Sequence, residues 1–145
     1  MIIICTTNKG YEYDAFAELW SILYYEGKLE TVFLGKENGA ILCEVRDTSG
    51  GDVVEVLEKE IREKPWRRRF LQGVYPIEFV TTLDRMEKAL RGKNICVKKW
   101  KIKRSKERCK IFKVLRKYIK INEESKEILY VIRFGGKIYF SIKGI

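Results

Sequence analysis

Phe70-Leu71-Gln72-Gly73-Val74-Tyr75-Pro76-Ile77-Glu78-Phe79-Val80-Thr81 is the stretch on which the fold turns. Aromatic and β-branched residues dominate it, so it reads as a strand, with Gly73 and Pro76 marking a bend or bulge inside it. The residues before it need such a strand. Ile2–Thr6 reads as a buried strand, and Asn8-Lys9-Gly10 as a turn. From Tyr11 to about Glu26, the residues Phe16, Leu19, Trp20 and Leu23 recur at helical spacing, with Gly27 as the expected stop. Glu30–Leu34 and Ala40–Val45 predict two strands joined by a loop that contains Gly35 and Asn38-Gly39, a hairpin signal. After Gly50-Gly51, Asp52 caps a helix in which Val53, Leu57 and Ile61 face one way and which ends before Pro65.

The order β-α-β-β-α over residues 1–65 is completed by a closing strand within 66–81, which makes a ferredoxin-like sandwich. Downstream, the spacing predicts a short helix from Leu83 to Leu90, stopped by Gly92. Ile95–Arg104 reads as a strand whose alternation changes phase. Ile95 and Val97 share one face while Trp100 and Ile102 share the other, so a bulge or change of burial is expected near Lys98-Lys99. Ser105 is the expected cap of a helix over about Lys106–Lys120, and Ile128–Phe134 with Lys137–Ile142 predicts a hairpin around Gly135-Gly136. The second half is therefore also mixed α and β.

The 145 residues are 46% hydrophobic and 34% charged with two prolines, which argues for packed domains rather than disorder. No apolar run approaches a membrane span, and the chain reads as a soluble cytoplasmic protein without a membrane partner. There is no histidine, which removes the commonest general base and metal ligand. Cys5, Cys43, Cys96 and Cys109 show no metal-ligand spacing, so neither metal nor other cofactor is expected. The net charge of +10 is unevenly placed. Residues 1–60 hold five basic and twelve acidic residues, a net of −7, while 61–145 hold twenty-five basic and eight acidic, a net of +17. A lopsided chain points to a partner addressed by one half, and a polyanion is the natural candidate. A solvated, lysine-rich surface fits the charge alone equally well.

Placement favours the polyanion. In the helix from Lys106, the residues Ile111, Phe112, Leu115, Tyr118 and Ile119 fall in an apolar sector of roughly 100°. Lys110, Lys113, Arg116, Lys117 and Lys120 lie opposite with no acid among them, where an exposed helix ordinarily intersperses glutamates. Alternation in the preceding strand sets Lys99, Lys101 and Lys103 on one face, about 6–7 Å apart, near the spacing of backbone phosphates. Arg104-Ser105 then sits where strand passes to helix, a natural phosphate site reinforced by Lys106 and Arg108. Arg67-Arg68-Arg69 is a third cluster, equally readable as solvated linker. Trp66, Tyr75 and Trp100 read first as core residues, with base stacking the sharper alternative. Cys109 lies in the first turn of the basic helix, but no base or resolving thiol accompanies it.

Trp66-Arg67-Arg68-Arg69-Phe70-Leu71-Gln72-Gly73-Val74-Tyr75-Pro76-Ile77, the strand end Lys99–Ser105 and the closing Gly136-Lys137-Ile138-Tyr139-Phe140-Ser141-Ile142 resemble a THUMP domain. Residues 1–65 resemble the ferredoxin-like domain that precedes THUMP in RNA-modifying enzymes. The resemblance implies an α+β protein, an N-terminal ferredoxin-like half followed by a mixed α/β THUMP domain over 66–145. It also implies tRNA binding near the acceptor stem, with Lys101, Lys103, Arg104 and Ser105 as contacts and Arg67–Arg69 beside them. Family members often carry a glycine after the second THUMP helix and a proline before the last hairpin; Tyr118–Ser125 has neither.

On this reading no methyltransferase, thiouridine synthase or pseudouridine synthase domain is expected within the 145 residues. The chain is therefore similar to the adaptor that presents tRNA to an RNA acetyltransferase making 4-acetylcytidine, and no catalytic residue is expected. The candidate RNA contacts are Arg67, Arg68, Arg69, Lys99, Lys101, Lys103, Arg104, Ser105, Lys106, Lys110, Lys113 and Lys117. The competing expectations are a protein-interaction or regulatory module without specific RNA binding, and a small enzyme using Cys109.

Overall fold

A computed structural model describes residues 1–46, 50–64, 69–142 and 144. The chain forms two compact units that divide between Ile77 and Glu78. The first runs β1 (Ile2–Thr6), α1 (Glu12–Gly27), β2 (Thr31–Glu37), β3 (Ala40–Val45), α2 (Gly50–Glu63) and β4 (Gly73–Pro76). Its sheet has the order β2-β3-β1-β4, every neighbour antiparallel, which is the ferredoxin-like topology. Strand alternation explains the core. Ile3 and Cys5 of β1 point to the same face as Ile41, Cys43 and Val45 of β3 and Val74 of β4. Against that face pack Ala15, Leu19, Ile22 and Leu23 of α1 and Val53 and Leu57 of α2. Each large apolar side chain so buried contributes about 1.5–3 kcal/mol. Burial also pushes the Cys43 thiol up to about 12 and the Cys5 thiol well above its ordinary value.

α1 ends at Gly27 as expected, and two further details shape this unit. The left-handed residue that ends α1 is Lys28, with φ 56°, and the N–H groups of Lys28 and Leu29 donate back to the carbonyls of Tyr24 and Leu23 at 3.0 and 2.9 Å. Gly27 serves packing instead: a Cβ there would lie 2.9 Å from Cγ2 of Val56, so its hydrogen lets α1 and α2 approach. Glu12, though acidic, is buried. Its Oε1 accepts the Gly39 N–H at 3.1 Å, pinning the β2–β3 turn, and that bond foremost holds the carboxyl below the usual glutamate range.

The second unit runs β5 (Phe79–Thr81), a 3-10 turn at Leu83–Arg85, α3 (Met86–Leu90), β6 (Cys96–Val97), β7 (Lys99–Lys103), α4 (Arg108–Tyr118), β8 (Lys120–Ile121), β9 (Ile128–Phe134) and β10 (Lys137–Ser141). The main sheet has the order β5-β10-β9-β7, with β7 parallel to β9 and standing at the edge. Gly135 and Gly136, at φ 58° and 77°, make the two-residue turn that matches the twist of the closing hairpin. The core joins Met86 and Leu90 of α3, Ile111 and Leu115 of α4, and Leu129, Val131, Ile138 and Phe140 of the sheet.

The deciding stretch proves to be two strands. Ile77 donates to the Ile2 carbonyl at 2.9 Å, and the next residue, Glu78, donates to that of Phe140 at 2.8 Å. Pro76 cannot continue a ladder as a donor, and the chain changes sheets just after it. The phase change at Lys98-Lys99 has the same cause. β6 pairs with β8, β7 pairs with β9, and Lys98 between them donates to the Glu127 carbonyl at 2.8 Å. The basic helix is also shorter than expected, because Lys120 and Ile121 leave it to pair with Cys96 and Val97.

Candidate nucleic-acid interface

Between edge strand β7 and helix α4 lies an open groove of about 800 Å³, lined by Trp100, Lys101, Ile102, Lys103, Arg108, Cys109, Phe112, Lys113 and Arg116. The lining holds five cations and no carboxylate. Helical arithmetic explains the α4 side. Arg108, Phe112 and Arg116 form an i, i+4, i+8 row, Cys109 and Lys113 lie next to it, and the five span about 140° of the helix. The buried Ile111 and Leu115 occupy the adjoining arc. Phe112 is therefore not a core residue as its sector suggested. It is 46% exposed and meets Trp100 edge-on, with ring centroids 5.9 Å apart, as an apolar floor between the cations.

On β7, Trp100 and Ile102 pack against the core, and Lys101 and Lys103 share the other face. Their Nζ atoms stand 5.9 and 5.8 Å from the ring of Tyr130, the β9 residue in register with Lys101. The turn that joins β7 to α4 is held at several points. Arg104 takes a left-handed backbone at φ 63°. Ser105 Oγ accepts the Glu107 N–H at 3.1 Å, so it shapes the turn rather than capping α4, whose first helical residue is Arg108. Arg108 donates to the Ile102 carbonyl at 3.2 Å, tying the helix start to the strand. The Glu107 carboxylate is engaged by Arg133 of β9 at 2.7 Å. The first turn of α4 holds no acid, so the positive end of its dipole adds to the groove.

The groove thus gathers Lys101, Lys103 and Lys113 of the expected contacts. Lys99, Arg104, Ser105 and Lys106 belong to the strand and turn beside it. Lys110 and Lys117 fall on the far side of α4. Lys117 pairs with Glu87 of α3 at 3.8 Å, an acid that the helix sequence alone does not contain. Arg67 and Arg68, with Trp66, lie outside the described residues. Arg69 is in the first unit, where it lines a depression with Asp14 and Glu18. Sequence reasoning undervalued Phe112, Trp100 and Arg116; the i+4 row from Arg108 was the available signal. Cys109 is exposed in the groove, and among the described residues no group of acidic and thiol side chains is arranged to hold a metal ion.

No family model and no curated protein matches the chain by sequence. Among solved structures, PH1313 from Pyrococcus horikoshii OT3 superposes with a TM-score of 0.57 at 11% identity, covering 99% of this chain and 54% of that one. The chain shares that fold. Its two sheets, in this order, are the ferredoxin-like and THUMP arrangement that the motifs resemble. TrmN from Thermus thermophilus gives 0.48 at 12% identity, covering 98% and 45% of the two chains. A 4-thiouridine synthetase in complex with RNA and ATP gives 0.45 at 10%, covering 99% and 41%. The chain spans about half the length of the solved structures it matches. Among the described residues no helix is long and apolar enough to cross a membrane.

Proposed function

We propose that the chain binds RNA in the β7–α4 groove, and that the RNA is tRNA held for a separate modification enzyme. The observation that carries this reading is the lining itself: Lys101, Lys103, Arg108, Lys113 and Arg116 converge without a carboxylate, around a Trp100–Phe112 floor on which a base can stack. The THUMP resemblance supports tRNA as the ligand. In this reading the chain supplies affinity and orientation while a partner, a 4-acetylcytidine-forming acetyltransferase in the favoured version, does the chemistry.

Filter-binding titration of tRNA across salt concentrations tests the reading. Engagement of all five cations gives a log–log slope of magnitude about 3 to 5. Lys113→Glu with Arg116→Glu lowers affinity about a hundredfold at low salt and flattens the slope by about 2. Unchanged binding removes the groove from the site. The place of Cys109 in the groove favours one rival, a small enzyme. Turnover of RNA by the chain alone, lost in Cys109→Ala, would replace the adaptor reading with it.

A further inference from the structure

Between Lys99 and Asn122 the sequence holds eleven lysines and arginines and a single acid, Glu107. That acid occupies the cap position of α4, one residue before the groove-lining Arg108. A carboxylate there ordinarily turns onto the free N–H groups of the first helical turn, where the helix dipole also attracts it. Glu107 makes no such bond. Its carboxylate is drawn the other way, and Oε2 is met by Nη1 of Arg133 at 2.7 Å.

Arg133 reaches it from the helix-covered face of the sheet. Strand alternation puts Arg133 of β9 on the same side as Leu129 and Val131, which are buried beneath the helices. Glu107 lies one turn before the buried Ile111, whose N–H donates to the Glu107 carbonyl at 3.1 Å. The two side chains are 35% and 33% exposed, so the pair is better shielded from water than an open surface pair. Arg133 itself is not part of the groove lining. The turn before α4 has ties that do not use the Glu107 carboxylate: Ser105 Oγ to the Glu107 N–H at 3.1 Å, and Arg108 to the Ile102 carbonyl at 3.2 Å. What the Arg133 contact adds is control of where one negative charge sits.

We infer that Arg133 is a positioning residue for the β7–α4 groove: by holding and neutralising Glu107 it keeps that carboxylate off the start of α4, leaving this end of the helix to phosphate. The inference rests on the reading of the groove as an RNA site. Without Arg133, Glu107 caps its own helix and sets a negative charge beside Arg108, where it opposes a polyanion.

Filter-binding titration of tRNA with the full chain, across salt concentrations, tests this. Arg133→Gln weakens binding about fivefold at low salt and leaves the log–log slope unchanged, since no phosphate contact is lost. Adding Glu107→Gln restores affinity to within about twofold of the unsubstituted protein. Adding Glu123→Gln instead, which gives the same net charge from an exposed turn, does not restore it. Lys126→Gln, the loss of an exposed cation elsewhere, changes affinity by less than about twofold. Circular dichroism checks folding, and Arg133→Met, which keeps the packed stem, is read in its place if Arg133→Gln does not fold. Full binding by the Arg133 variant overturns the inference alone, provided that Lys113→Glu with Arg116→Glu weakens tRNA. If that double variant binds normally, or no tRNA binds at all, the groove reading falls and takes this inference with it. A slope flattened by about 1 in Arg133→Gln makes Arg133 a direct phosphate contact and overturns it. So does a failed rescue by Glu107→Gln, or an equal rescue by Glu123→Gln.

Discussion

α1 and α4 are built to the same plan and dressed for different company. Each lays an apolar stripe on a four-stranded sheet, Leu19 and Leu23 in one unit, Ile111 and Leu115 in the other. Each leaves aromatic rings uncovered on its free side. The difference lies in the charges around those rings. Met1–Ile77 carries ten basic and thirteen acidic residues, and Glu78–Ile142 nineteen basic and seven acidic. Beside Tyr25 stand Glu18 and Glu26, the latter paired with Lys64 at 3.5 Å; around Trp100 and Phe112 the neighbours are lysines and arginines. An aromatic face alone does not state its ligand. Long-range electrostatics selects it, because a polyanion is drawn to one helix and turned from the other.

The contrast breaks most visibly in the cores. Leu19→Ala and Leu115→Ala each remove a fully buried side chain and cost about 3 kcal/mol in urea unfolding. Only Leu115→Ala should also lower RNA affinity at denaturant-free conditions, since only it supports the groove; equal losses would show that the two helices are not functionally distinct. A finer cut is Phe112→Ala, which weakens single-stranded RNA by about tenfold through a lost stacking surface, against no change for Tyr25→Ala. If both matter alike, stacking is generic to the molecule. The smallest effect concerns acid. Because its bond to Gly39 lowers the Glu12 carboxyl, folding favours the ionised form, and the stability it adds is present above the ordinary glutamate value of about 4.3 and lost as pH falls through the lowered one. Glu12→Gln should therefore flatten the acid limb of a urea-midpoint profile for the first unit and leave RNA binding at neutral pH unchanged.

Local periodicity made most of the elements legible. The β-α-β-β-α order, the glycine hairpin at Gly135-Gly136 and the amphipathic helix through Ile111 and Leu115 all follow from spacing within a few residues. What escaped is decided by partners far away in the chain. Phe70–Thr81 reads as one strand because nothing local reveals that Tyr75 pairs with Ile4 and Phe79 with Phe140. The helix end at Tyr118 was hidden for the same reason, since Lys120 is drawn off by Cys96. At the site, charge pattern pointed to Lys101, Lys103 and Lys113. It could not reveal that Glu87 from α3 takes Lys117, nor that Phe112, at the margin of the apolar arc, turns outward to Trp100.

The position of β7 has one more effect. It is the last strand of its sheet, and a row of backbone donors and acceptors there invites another molecule's strand to add on. Lysines at alternate positions, 99, 101 and 103, oppose that addition by mutual repulsion between stacked copies. A variant with threonine at all three would leave this edge an uncharged, β-prone ribbon, and should clump on storage even while each molecule remains folded. In the proposed reading, the ammonium groups set to meet phosphate also oppose self-association.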